Sequence, residues 1–300
     1  MLLSKNRIFL ITALALWPAI PTIAQDLPHA SAVSKPIQVQ PYQPPAVDKM
    51  PDGELGDMVR LGKKIFNDTS QHAAKLTGNG LDCANCHLDA GRLAHSAPLW
   101  AAWVSYPAYR GKNHMVNTME QRIQGCFRYS MNGTPPPPDS DEMKAIMSYS
   151  YWLASGAPTN TDLPGRGYPD IPKPDKKPDF GRGKQVFANN CALCHGAHGQ
   201  GTKVRRDYIF PPLWGKDSFN WGAGMHRINT AAQFIRANMP LGRGGMLSVQ
   251  QAWDVAYFVN SHERPQDPRY NGNLAQTNKK YHDHQCRYDQ KVAGHTLGMK

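Results

Sequence analysis

The chain has 300 residues and carries 34 Lys plus Arg against 23 Asp plus Glu, a net charge of +11. That length suggests about two domains, and 26 Gly with 25 Pro make the chain rich in loops. The positive balance favours anionic partners; with no arginine-rich run and no helix-turn-helix pattern, nucleic acid is set aside for an anionic small molecule or an acidic redox partner.

Residues 1–24 read as a secretory signal, with Lys5 and Arg7 as its positive start, an apolar run from Ile8 to Ile20, and Thr22-Ile23-Ala24 at the cleavage positions. The run is too short to cross a bilayer comfortably, so the mature chain is expected to be a soluble periplasmic protein with no membrane span. Loss of Lys5 and Arg7 leaves its charge near +9. Residues 25–50 are Pro- and Gln-rich without periodicity and read as an extended arm.

The first domain is expected over 51–160. Leu55, Met58, Leu61 and Ile65 recur at helical spacing over 54–66. A polar, Gly-punctuated stretch over 67–80 reads as a loop or a short interrupted helix. Cys83-Ala84-Asn85-Cys86-His87 follows, then an aromatic run over 100–109 and a second helical pattern over 115–123. Thr134 and the four prolines after it form a rigid turn. Ser140 caps a helix that runs through Ile146, Tyr149 and Leu153 and stops near Gly156 and Pro158.

A stretch over 161–178 with five prolines is a semi-rigid linker. The second domain, over 179–268, repeats the first in outline. Gly183-Lys184-Gln185-Val186-Phe187 matches Gly62-Lys63-Lys64-Ile65-Phe66, and Cys191-Ala192-Leu193-Cys194-His195 echoes the earlier motif. Each half closes with an apolar helix, over 144–155 and 249–261. The tail, 269–300, is polar, carries Cys286 and shows no pattern.

C-x-x-C-H is the attachment signature of a c-type haem. The thiols of Cys83, Cys86, Cys191 and Cys194 add to the haem vinyl groups, and His87 and His195 each take one axial face of an iron. A pair of zinc or disulfide sites would need further ligands at matching spacing in both halves, and none is visible. Two covalently bound haem c groups follow. The fold class is mostly α: two tandem domains like class I cytochromes c, joined by the Pro-rich linker.

The second axial ligand of each haem decides what the chain does. Met239-Pro240 lies 44 residues after His195, the usual distal position in class I domains, so Met239 is expected on the second iron rather than Met225 or Met246. In the first half two candidates compete. Met131 lies at the same offset of 44 from His87, and Cys126 lies five residues before it. Cys126 also has an alternative as a disulfide partner of Cys286.

The stretch from Arg122 to Gly133, with Gly125-Cys126-Phe127 and Ser130-Met131-Asn132-Gly133, resembles the active-site segment of the thiosulfate dehydrogenase family, two-haem periplasmic enzymes of the TsdA type. The resemblance runs over about 50–270. It includes Gly222-Ala223-Gly224-Met225-His226-Arg227, Asn238-Met239-Pro240-Leu241, Ala252-Trp253-Asp254-Val255 and Asn260-Ser261-His262. It implies Cys126 as distal ligand of the first haem, with Arg122 and Ser130 lining a substrate pocket. Arg110, Lys112 and Arg128 are further cations for an anionic substrate. Some members place Lys before the distal Met and exchange the two; Asn238 stands there in this chain, so Met239 is expected to stay on the iron.

The implied reaction joins two thiosulfates into tetrathionate and releases two electrons, in a direction left open. Electrons pass from haem 1 to haem 2 and on to an external acceptor such as a soluble cytochrome or another high-potential carrier. Cys126 has two readings, a ligand that stays on the iron or a sulfur nucleophile that leaves it. Two other functions remain in competition: a non-catalytic two-haem electron carrier with Met131 on iron, and a cytochrome subunit of a larger sulfur-oxidation complex.

Overall fold

The computed structural model describes residues 41–111, 113–204 and 207–299. The expected leader, residues 25–40 of the arm, and Lys112 lie outside them. Among the described residues eleven short helices form the fold: α1 (Gly53–Asn67), α2 (Thr69–His72), α3 (Leu88–Gly91), α4 (Leu99–Ser105), α5 (Met119–Gly125), α6 (Asp141–Leu153), α7 (Phe180–Asn190), α8 (Ala192–His195), α9 (Ile228–Asn238), α10 (Val249–Val259) and α11 (Leu274–Tyr281). Three antiparallel two-stranded ribbons supplement them: β1 (Ala108–Arg110) with β2 (Met115–Asn117), β3 (Thr202–Val204) with β4 (Asp207–Phe210), and β5 (Lys291–Val292) with β6 (His295–Thr296).

Each half is built on one crossing of its first and last helices, α1 on α6 and α7 on α10. The repeated glycine explains why. A Cβ on Gly62 would lie 2.0 Å from the Ala145 carbonyl oxygen, and one on Gly183 would lie 2.1 Å from the Asp254 carbonyl oxygen. The helix backbones touch at these points, and only a residue without a side chain permits it. The Phe four residues on then turns inward. Phe66 lies 5.9 Å from the His87 ring, and Phe187 packs 5.1 Å from Trp214. At the second crossing Asp254, buried in α10, takes a two-pronged bond from Arg182 of α7 at 2.7 and 2.9 Å. This is the paired-helix arrangement anticipated for two tandem cytochrome c domains.

The helix starts follow local chemistry. Ser140 accepts from the Met143 amide, Asp179 from Arg182, and Ser248 forms a capping box with Gln251. One expected helix is corrected. The pattern over 115–123 splits at Thr118: Met115–Asn117 pair with Ala108–Arg110 as a ribbon, and only the residues after Thr118 are helical. Thr118 and Gln121 form a capping box that forces the helix to begin there.

The stretch read as a linker is extended but packed. The amides of His95 and Ala97 donate to the carbonyls of Gly165 and Gly167 at 2.6 and 2.8 Å, and Trp253 Nε1 donates to Pro172 at 2.9 Å. The end of the arm also lies on the first half, where the Tyr42 hydroxyl donates to the Ser155 carbonyl at 2.6 Å. The two halves are stitched by asparagines. Asn220 Nδ2 donates to Arg128 O and Asn132 Oδ1, both at 2.9 Å, and Asn79 Nδ2 bridges the carbonyls of Ser130 and Ser218. The tail, patternless as sequence, is ordered by burial: Cys286, Tyr288 and Leu297 pack with Trp221 of the second half.

Candidate active site

The first attachment motif begins with a 3-10 turn over Cys83–Asn85, capped by Asp82. Thr69 of α2 supports it, accepting from the Cys83 amide at 3.1 Å. His87 Nδ1 donates to the Ala97 carbonyl at 2.6 Å. A carbonyl only accepts, so the neutral ring keeps its lone pair on Nε2, as an axial ligand requires. The second motif repeats this, with His195 Nδ1 donating to the Pro211 carbonyl at 2.8 Å. Two paired thiols and an oriented imidazole in each half fit a covalently attached haem c.

Cys126 stands at the junction of α5 with a single turn of π-helix, Cys126–Ser130, closed by the Met131 amide donating to the Cys126 carbonyl at 3.0 Å. Such turns insert one extra residue and re-aim the side chains around it. Arg122, one α-turn earlier, directs Nη1 at the Cys126 sulfur at 3.0 Å. The sulfur is also within hydrogen-bond reach of the His87 imidazole. Burial by itself raises the Cys126 thiol, but the charge of Arg122, helped by the neighbouring His87, outweighs it and brings the group down to about 6. Cys83 and Cys86, equally enclosed, are pushed up to about 12 by burial. Of the three cysteines in this half, Cys126 alone is brought below neutral pH.

Met131, the competing candidate, is 2% exposed and packed within the core of the first half. Cys286, the other candidate partner for Cys126, is a free, buried thiol in the tail, and Cys126 is also free, so no disulfide joins them. Ser130 closes the π-turn, and its carbonyl is held by Asn79. Arg110 is exposed at the end of β1, with its guanidinium 5.9 Å over the Tyr106 ring. Arg128 is exposed as well. Met239 caps α9 directly after Asn238, whose side chain donates to the His95 carbonyl across the domain boundary at 3.0 Å. Met225 packs against both cores, and Met246 is largely exposed.

The structure also adds Tyr168, which sequence reasoning missed, and singles out Tyr106 from the aromatic run. Tyr168, inside the Pro-rich linker, and Tyr106 both lie close enough to Arg122 to act on its charge. Burial pushes the Tyr168 hydroxyl well up, and its ring packs edge-on to Phe234 at 5.3 Å. A large aromatic in an otherwise small and polar linker is the one signal that marked it.

Comparison with known proteins bears on this geometry. Residues 67–159 match the family of SoxA/TsdA cytochrome c domains, and residues 180–263 match the cytochrome c family. The chain is 56% identical over 261 residues to a thiosulfate dehydrogenase of Stutzerimonas stutzeri strain A1501, covering 86% of this chain and 85% of that one. It is 54% identical over 258 residues to a thiosulfate dehydrogenase of Thiomonas intermedia strain K12, covering 86% and 82%. Among solved structures, the thiosulfate dehydrogenase TsdBA from Marichromatium purpuratum in its as-isolated form superposes with a TM-score of 0.84 at 50% identity. That match covers 87% of this chain and spans 58% of the longer chain. Two cytochrome c domains, each with a complete C-x-x-C-H, carry two covalently bound haem c groups.

Proposed function

Because this chain belongs to the thiosulfate dehydrogenase family, we propose that it oxidises two thiosulfates to tetrathionate at a site built on Cys126 and Arg122. His87 and Cys126 would hold the iron of the first haem, and His195 and Met239 that of the second. The observation that carries this reading is the Arg122 guanidinium 3.0 Å from the Cys126 sulfur, which also lies close to His87.

The reaction forms one S–S bond between two dianions and releases two electrons. Two haems, when bound, would supply the one-electron redox chemistry that takes up both electrons. The obstacle on the protein side is repulsion. Two dianions 4 Å apart repel by about 16 kcal/mol at an effective dielectric of about 20, four times the value for unit charges. Arg122 supplies a fixed, planar cation at the place where the second anion must arrive. Arg110, exposed at the rim, supplies a second. Ser130, at the end of the π-turn, is placed to orient a sulfonate oxygen or the Cys126 sulfur. The half-buried rings of Tyr106 and Tyr168 keep water from Arg122 and so strengthen its field. The same site runs the reverse reaction when electrons are supplied.

Asn238 is tied to His95 and lacks a basic group, which supports Met239 as a permanent ligand. The leader-like start of the chain supports a periplasmic location. Among the described residues no helix is long and apolar enough to cross a membrane. The external acceptor is a soluble cytochrome or another high-potential carrier with an acidic docking face, in keeping with the net charge of +11.

Low-temperature EPR of the oxidised protein beside a Cys126→Gly variant tests this. The expected result is a thiolate-ligated low-spin signal that disappears in the variant together with thiosulfate oxidation. A wild type with only His/Met signals and an active variant would mean an electron carrier.

A further inference from the structure

Four side chains away from both attachment motifs converge on one point. His226 lies in the turn that leads into α9; His282, His284 and Cys286 follow α11 in the tail. The sulfur and one ring nitrogen of each imidazole all fall within 4.8 Å of one another. His226 Nε2 is 2.9 Å from His284 Nε2 and 3.2 Å from His282 Nδ1. Nitrogen ligands about 2.0–2.1 Å from a tetrahedral zinc are about 3.3–3.4 Å apart, so these separations already have nearly the size of a coordination shell. His226, His282 and Cys286 are buried.

The rings are aimed by contacts on their outer sides. His226 Nδ1 donates to the Ala223 carbonyl, and His282 Nε2 donates to Asp267 Oδ2 at 3.0 Å. A carbonyl and a carboxylate accept only, so in the neutral rings both protons sit on the outer nitrogens. The lone pairs of His226 Nε2 and His282 Nδ1 then point at each other. A cation held between them is coordinated by both. Carbonyl and carboxylate contacts of this kind are the usual outer support of metal-bound histidines. Asp267 is held in turn by Arg269 at 2.6 Å. Tyr288 stacks on His282 with ring centres 4.1 Å apart, so the ring has little freedom to turn away.

We infer that His226, His282, His284 and Cys286 form a closed site for one divalent transition metal, zinc foremost, separate from both haems. Three imidazoles and a thiolate select zinc or copper over magnesium or calcium, which prefer oxygen ligands. Four protein ligands leave no open position, which is the pattern of a structural metal rather than a catalytic one. The metal pins the tail to the second cytochrome domain. It also steadies the first, because Arg269 places its guanidinium 5.0 Å over Tyr129, within the π-turn that begins at Cys126.

Metal analysis of the purified two-haem protein tests the site, with iron as an internal count. After equilibration with zinc sulfate and dialysis, the wild type retains about one zinc for every two irons. Zinc absorption spectroscopy shows about three nitrogens at 2.0–2.1 Å and one sulfur at 2.3 Å. His284→Ala and Cys286→Ser variants with full haem content retain less than about a tenth as much. A parallel copper equilibration names the metal: copper held at the same ratio and lost in the same variants supports the site with copper as occupant. Haem-loaded wild type that holds less than about a tenth of an equivalent of either metal overturns the inference, as does bound zinc without a sulfur neighbour. Those wild-type readings stand whether or not the variants fold.

Discussion

Replacing Arg122 by Gln removes the cation in contact with the Cys126 sulfur while keeping a shorter polar side chain. The Nη1–Sγ contact is 3.0 Å, and a charge-assisted hydrogen bond of this kind contributes about 1.5–3 kcal/mol net. The loss in the transition state is larger than in the resting protein, because the second dianion arrives against a site that has lost its positive charge. Donors aimed at developing charge are worth about 2.7–4 kcal/mol each. That corresponds to a fall in kcat/KM of about 100- to 1,000-fold at 1.36 kcal/mol per decade. The assay is steady-state thiosulfate oxidation with a one-electron acceptor at fixed ionic strength, with haem content confirmed spectrally. Arg122→Lys keeps the charge without the planar fork, so it recovers part of the loss, mostly in KM. An Arg122→Gln enzyme within about threefold of wild type would refute the reasoning, and so would a Lys variant no better than Gln.

Three further outcomes follow from the structure. Met239→His lowers the potential of the second haem, since imidazole stabilises ferric iron more than a thioether does; a redox titration should show one haem shifted and the other unchanged. Gly183→Ala places a Cβ 2.1 Å from the Asp254 carbonyl oxygen and forces α7 off α10. A cost of about 1–3 kcal/mol lowers the melting temperature by roughly 2 °C or more, whereas Ala at exposed Gly224, which has open space around it, leaves melting unchanged. His262 stacks on Trp214 with ring centres 4.1 Å apart, and burial lowers its pKa from 6.5 to about 4. The unfolded chain therefore takes up the proton first as pH falls: the contribution is whole above pH 6.5 and drains away down to pH 4, by at most about 3 kcal/mol at 1.36 kcal/mol per unit. Comparing melting temperatures at pH 7 and pH 4.5 for wild type and His262→Gln checks this, and an equal acid loss in both would exclude His262 as its source.

What the amino-acid sequence determined by itself was whatever depends on neighbours along the chain. The two C-x-x-C-H motifs set where the haems attach, because both thiols and the imidazole lie within five residues. Apolar periodicity and the capping residues Ser140 and Ser248 set the closing helices, and the repeated Gly-x-x-x-Phe marked the helix that each closing helix must cross. Local pattern was also read too simply in one place, where the Thr118 capping box ended a ribbon inside an apparent helix.

The family resemblance had already favoured Cys126 over Met131, and the tertiary structure shows how differently the two are surrounded. The two lie five residues apart on one π-turn, and their surroundings come from elsewhere: His87 and Arg122 meet the sulfur, while the core of the first half encloses the thioether. It also brought Tyr168 out of the linker to Arg122, and gathered His226 with three residues more than fifty positions later in a tail that has no periodicity. Such contacts leave no trace in composition or spacing, because each depends on where two distant segments pack rather than on the conformation of either one.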